Sequence, residues 1–121
     1  MSDLTPAGEA AARRLLAAER ASTEARLAAL RRDFDSIVQA SASGADDEHD
    51  PEGSSTAFDR QHVAALLGRA ADQLAEIDRA CQRLDDGRYG HCERCGLPIA
   101  AERLAARPAA ATCITCAGRR P

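Results

Sequence analysis

Cys92, Cys95, Cys113 and Cys116 are the residues of this chain whose type and spacing can do chemistry. They form two Cys-x-x-Cys pairs, Cys92–Cys95 and Cys113–Cys116, separated by 17 residues. Each pair offers two sulfurs on one tight turn, and the intervening loop can bring the turns face to face, as a tetrahedral zinc site needs. Gly96 follows the first pair, where a backbone folding its amides back toward the sulfurs profits from having no Cβ. Disulfide pairing is the competing reading. The spacing and the lack of an apolar leader favour a metal site in a reducing, cytoplasmic setting. Four cysteines leave no coordination position for water or substrate, so the expected cofactor is a structural Zn(2+) ion. With two Phe, one Tyr and no Trp in the chain, metal binding there would supply folding energy.

The remaining reactive side chains make a weaker case. Cys81 falls on an apolar helical stripe, where cysteine normally serves as a small hydrophobe; redox sensing and a fifth ligand are the alternatives. His91 precedes Cys92, yet four cysteines already suffice. Around His49 and His62 no nucleophile, base and orienting group follow one another, so the chain does not read as an enzyme.

The elements that must hold this knot are helical. Thr5-Pro6 is a helix start, a capping hydroxyl followed by proline at the first helical position. From there to about residue 40 the positions 16, 23, 27, 30, 34 and 37 step by four and three, a coiled-coil stripe of Leu16, Thr23, Leu27, Leu30, Phe34 and Ile37 interrupted by Arg20. A second stripe runs Val63, Leu67, Ala70, Leu74, Ile77, Cys81 and Leu84, with Gly87 as the left-handed residue that ends it. Thr56 with Asp59, or Ser55, would cap its start. Two such helices can bury their stripes against each other. The fold expected is therefore mostly α, a long antiparallel two-helix coiled-coil hairpin with a small C-terminal four-cysteine zinc finger. The hairpin would take residues 1–87, with an acidic tip loop at 41–55, and the finger 88–121.

Charge is distributed unevenly. The formal net charge is -3, with sixteen arginines and no lysine, which argues against a general nucleic-acid binder. No apolar run is long enough to span a membrane. At the tip, Asp46, Asp47, Glu48, Asp50 and Glu52 crowd around His49. Such a run is either a solvated loop, an ion loop lacking calcium-site spacing, or charge projected into a cavity of a larger machine. Toward the C-terminus Arg88, Arg94, Arg103, Arg107, Arg119 and Arg120 face Glu93 and Glu102. They either touch phosphates or offset the negative charge of a zinc-thiolate centre.

The stretch YGHCERCGLPIAAERLAARPAAATCITC, Tyr89 to Cys116, resembles the zinc finger of the DksA/TraR family of bacterial transcription regulators. The resemblance rests on the Tyr-Gly-x-Cys opening, Ile99, the Arg103-Leu104-x-Ala106-Arg107-Pro108 run and the closing Cys-x-x-Cys, and the hairpin extends it over nearly the whole chain. Longer members carry additional N-terminal sequence. The resemblance implies a protein that binds bacterial RNA polymerase through the secondary channel and modulates initiation, without sequence-specific DNA binding. It also implies contacts near the polymerase active centre from the tip acids Asp46, Asp47, Asp50 and Glu52. The family tip reads Asp-Pro-x-Asp-Arg-Ala; here Asp50 keeps the first acid, while Gly53 and Ser55 replace the second acid and the alanine. Arg69 and Arg107 match arginines that contact polymerase or nucleotide. Glu76 stands where a lysine is expected and Ala117 where a basic residue is, which implies a weakened or altered response to guanosine tetraphosphate. The competing function is a zinc-knuckle DNA-binding or adaptor protein with the hairpin as a spacer.

Overall fold

The computed structural model describes residues 4–44 and 51–119. Four helices follow one another: α1 (Pro6–Gly44), α2 (Pro51–Asp85), α3 (Ala101–Ala106) and α4 (Ile114–Ala117). Among the described residues there is no strand, only an isolated antiparallel bridge between His91 and Pro98.

The ends of the long helices are set by local chemistry. The Thr5 hydroxyl accepts the Gly8 amide at 3.0 Å, and the Thr5 carbonyl accepts the Glu9 amide at 2.9 Å, so Thr5 caps α1 with Pro6 as its first residue. At the other end of the pair, Gly87 takes φ 74°. Its amide donates to Leu84 O at 3.2 Å while the Arg88 amide donates to Arg83 O at 2.8 Å, the two bonds of a Schellman motif.

The expected loop at 41–55 is too wide. Ser41–Gly44 continue α1, and α2 opens at Pro51, not at a cap on Ser55 or Thr56. The lack of large apolar residues removes packing but does not end a helix. Alanine and serine carry small helix penalties, and proline is tolerated in the first turn. Asp46, Asp47 and Asp50 lie outside the described residues, and Glu52 falls in the first turn of α2.

The chain forms two compact units, one taking residues up to Ala21 and from Leu74 onward, the other Ser22–Gln73. In the Ser22–Gln73 unit, Thr23 and Ala70 are buried, while Leu27, Leu30, Phe34, Ile37, Val63 and Leu67 are half-buried on the stripes expected of them. In the other unit the helices run antiparallel. Arg13 pairs with Asp85 at 2.9 Å and Arg20 with Asp78 at 2.6 Å, so seven residues forward on α1 match seven residues back on α2. Arg20 thus tolerates its seam position by turning out to Asp78 and lying 3.8 Å from Cys81 Sγ. Both pairs are substantially exposed, and solvent screening leaves them little net stabilisation. Burial of Leu16 and Ile77 contributes far more, about 2 kcal/mol for each side chain.

Ala12, Leu16, Ile77, Ala80 and Leu84 form one core with Tyr89 and Ala109 from the finger, and Cys81 packs on it as a half-buried apolar residue. Cys92, Ile99 and Cys116 form a second core. Leu104 of α3 packs against both and is the joint between helices and finger.

Candidate metal centre

The first Cys-x-x-Cys turn closes through Gly96 N to Cys92 O at 2.9 Å and Cys92 N to Leu97 O at 2.8 Å. Gly96 adopts φ 77°, and a Cβ there would meet nothing within 4 Å. Glycine serves this turn by its backbone conformation, not by saving space. The second turn is the N-terminus of α4, where the Cys116 amide approaches Cys113 Sγ at 3.5 Å and the Ala117 amide donates to Cys113 O at 2.9 Å. A bond from Glu93 N to Ala111 O at 2.9 Å ties the two turns together.

The four sulfurs of Cys92, Cys95, Cys113 and Cys116 lie within 4.8 Å of one another, and Cys95 Sγ to Cys113 Sγ is 3.8 Å. A tetrahedron of thiolates about 2.3 Å from zinc has edges of about 3.8 Å, so the donor set fits that ion. All four cysteines are free, which sets aside the disulfide reading. Two ligands are buried, Cys92 and Cys116, and Cys95 is exposed. His91 makes a backbone bridge to Pro98 and is outside the gathered set, as is Cys81.

Electrostatics around the sulfurs favour ionisation unequally. Burial pushes the Cys92 thiol up, but amide hydrogen bonds from Cys113, Cys95 and Arg94 together carry it down to about 6. The Cys116 amide lowers Cys113. Cys116 itself is pushed up to about 12, first by its side-chain hydrogen bond with Cys113 and then by burial. Cys92, Cys95, Cys113 and Cys116 would hold a zinc ion as thiolates, and with all four positions filled by protein sulfur the ion would supply structural cross-linking.

Arginines do much of the fastening. Arg83, 4% exposed, reaches Glu93 Oε1 at 3.2 Å, Ala110 O at 3.3 Å and Ala109 O at 3.5 Å, while its carbonyl accepts the amides of Arg88 and Tyr89. One residue of α2 thereby holds the finger on both sides of α3. Sequence reasoning missed it; the available signal was its place beside Leu84, three residues past Ala80 on the buried side of the helix. Arg94 Nη1 donates to Cys116 O and Arg119 O, each at 3.0 Å, and Arg103 Nε donates to Thr112 O at 2.9 Å. Tyr89, buried, donates its hydroxyl to Pro108 O at 2.7 Å, and burial pushes its phenol up, which keeps the proton in place.

The other anticipated residues are exposed. Arg69 is exposed on α2 in the Ser22–Gln73 unit; Glu76, Arg107 and Ala117 are exposed in the other unit. Among the described residues no helix is long and apolar enough to cross a membrane.

Comparison with known proteins fits this geometry. The sequence pattern of the prokaryotic dksA/traR C4-type zinc finger matches residues 87–121, which include all four cysteines. The RNA polymerase-binding transcription factor DksA of Caulobacter vibrioides is 41% identical over 56 residues, 46% of this chain and 39% of that protein. The protein of that name from Escherichia coli is 40% identical over 43 residues, 36% of this chain and 28% of that one. The matched stretch thus spans well under half of these curated relatives. The solved structure of transcription factor DksA2 from Pseudomonas aeruginosa is similar over 93% of this chain and 81% of its own, with 30% identity and a TM-score of 0.78. A two-helix hairpin fastened by buried arginine and tyrosine contacts to a four-cysteine structural zinc finger, alike in sequence at the finger and in fold along the chain, makes this protein a member of the DksA/TraR family.

Proposed function

We propose that this chain is a transcription factor that binds bacterial RNA polymerase through the secondary channel and modulates initiation. The observation that carries the reading is the likeness to DksA2 over 93% of the chain, hairpin and finger together. Support also comes from the Caulobacter relative, whose name describes an RNA polymerase-binding transcription factor. The work divides at residue 87, with the 1–87 hairpin as the reaching element and the 88–121 finger as its fastening. Asp46, Asp47, Asp50 and Glu52 are the tip acids that act near the polymerase active centre, and Arg69 and Arg107 contact polymerase or nucleotide. Glu76 places a carboxylate where a phosphate-binding lysine would help, so the response to guanosine tetraphosphate is weakened. Such a factor works in the cytoplasm and is not an enzyme.

The DNA-adaptor reading loses ground because Arg83, Arg94 and Arg103 are engaged with carbonyls inside the finger unit. The test is binding of the purified protein to RNA polymerase core with and without a known secondary-channel factor. Mutual competition is the expected result. Binding without competition redirects the protein to another polymerase surface, and no binding overturns the reading.

A further inference from the structure

Within the Ser22–Gln73 unit, a shallow hollow of about 330 Å³ opens between α1 and α2, lined by Asp33, Ser36, Ile37, Asp59, His62 and Val63. Its two walls carry the same pattern. Asp33, Ser36 and Ile37 on one helix, and Asp59, His62 and Val63 on the other, each place an aspartate, a polar residue three positions on and a β-branched aliphatic four positions on. Positions i, i+3 and i+4 share a helix face. On antiparallel helices this repeat has approximate twofold symmetry, with the aspartates at one pair of diagonal corners and the aliphatics at the other. Ile37 and Val63 are half-buried; both aspartates are exposed. Neither aspartate side chain has an ion-pair or hydrogen-bond partner among the described residues, unlike Asp78, Asp85 and Asp86 on α2 or just beyond it. Phe58, one turn before His62 and on its face, is 70% exposed in a chain that has two phenylalanines.

We infer that this hollow receives an arginine side chain of the bound polymerase, an inference that rests on the function proposed above. The chemistry is specific. An apolar lining suits the hydrocarbon stem, unpaired carboxylates at diagonal corners suit the guanidinium in two orientations, and the exposed Phe58, one helical turn before His62, offers its ring face at the margin. A stem-and-cation side chain satisfies all three features. A bare metal ion uses only the carboxylates, and an apolar side chain only the lining.

The test compares polymerase-core binding of the wild type, the double variant Asp33→Asn/Asp59→Asn, its charge-reversed form Asp33→Lys/Asp59→Lys, and the control Asp72→Asn, an exposed acid outside the hollow. Each is measured over a salt series, with circular dichroism to verify helix content. The neutralised variant is expected to bind about tenfold more weakly with a flatter salt dependence, the reversed variant more weakly still, and Asp72→Asn within about twofold of wild type. Wild-type affinity in both double variants, while the wild type binds and competes as expected, overturns this inference and leaves the proposed function standing. Equal weakening by Asp72→Asn also overturns it, because general acidity would then account for the effect. Failure of the wild type to bind overturns both.

Discussion

At the residue scale, the finger is held by a few polar groups with defined partners. Tyr89 gives its only hydroxyl proton to Pro108 O in a buried setting. Tyr89→Phe keeps the ring and strands that carbonyl, so it should cost about 1–2 kcal/mol in urea unfolding while zinc content stays at one per chain. Arg83→Met removes the bonds to Glu93, Ala109 and Ala110 together and should cost more, about 2–3 kcal/mol. The thiols make a prediction of opposite character. Cys92, held down to about 6, is already thiolate at pH 7, whereas Cys116, pushed up to about 12, is protonated. Zinc requires both as thiolates, so binding at pH 7 must expel protons, and affinity must rise with pH. Calorimetry in buffers of different ionisation enthalpy should show net proton release. Below about pH 6 Cys92 also takes up a proton, and affinity should fall more steeply there.

At the scale of elements, the two long helices depend on their ends and their shared stripe. Gly87 has φ 74°, a conformation in which a Cβ crowds the backbone. Gly87→Ala should therefore lower stability by about 1 kcal/mol, seen as a reduced Tm with unchanged helix content. Both features were legible in the sequence. Thr5-Pro6 and Gly87 are end signals whose chemistry is local, and Leu16, Ile77 and Leu84 sat on stripes with a fixed period. The four cysteines were legible for the same reason, since each pair closes within one turn. What escaped was non-local. Arg83 looks like any surface arginine until the chain returns to lay the carbonyls of Ala109 and Ala110 beside it. Leu104 and Tyr89 stood out within the finger's motif, but their packing onto α1 and α2 depends on the finger's return path. The helix ends nearest the tip were misjudged because serine-rich and proline-containing sequence is compatible with loop and helix alike.

At the scale of the whole molecule, the zinc finger is not an appendage to the helices it follows. Its Tyr89 and Ala109 are members of the same core as Ala12, Leu16, Ile77, Ala80 and Leu84, and Leu104 joins that core to the cysteine cluster. Neither part has many large residues of its own; apart from Tyr89 the shared core is alanine, leucine and isoleucine. Zinc binding and helix packing should therefore be coupled through Leu104, Tyr89 and Arg83. Removing the metal with a chelator will then not stop at the finger. Hydrogen exchange should speed up at 6–21 and 74–85, where the helices share the finger's core, more than at 25–40 and 58–70, whose half-buried stripes lie in the other compact unit. Re-adding zinc should restore protection in the same segments. Uniform acceleration along both helices would show that the hairpin melts as one body. Unchanged exchange at 6–21 would show instead that the helices hold without the finger, and that the shared core contributes less than its burial implies.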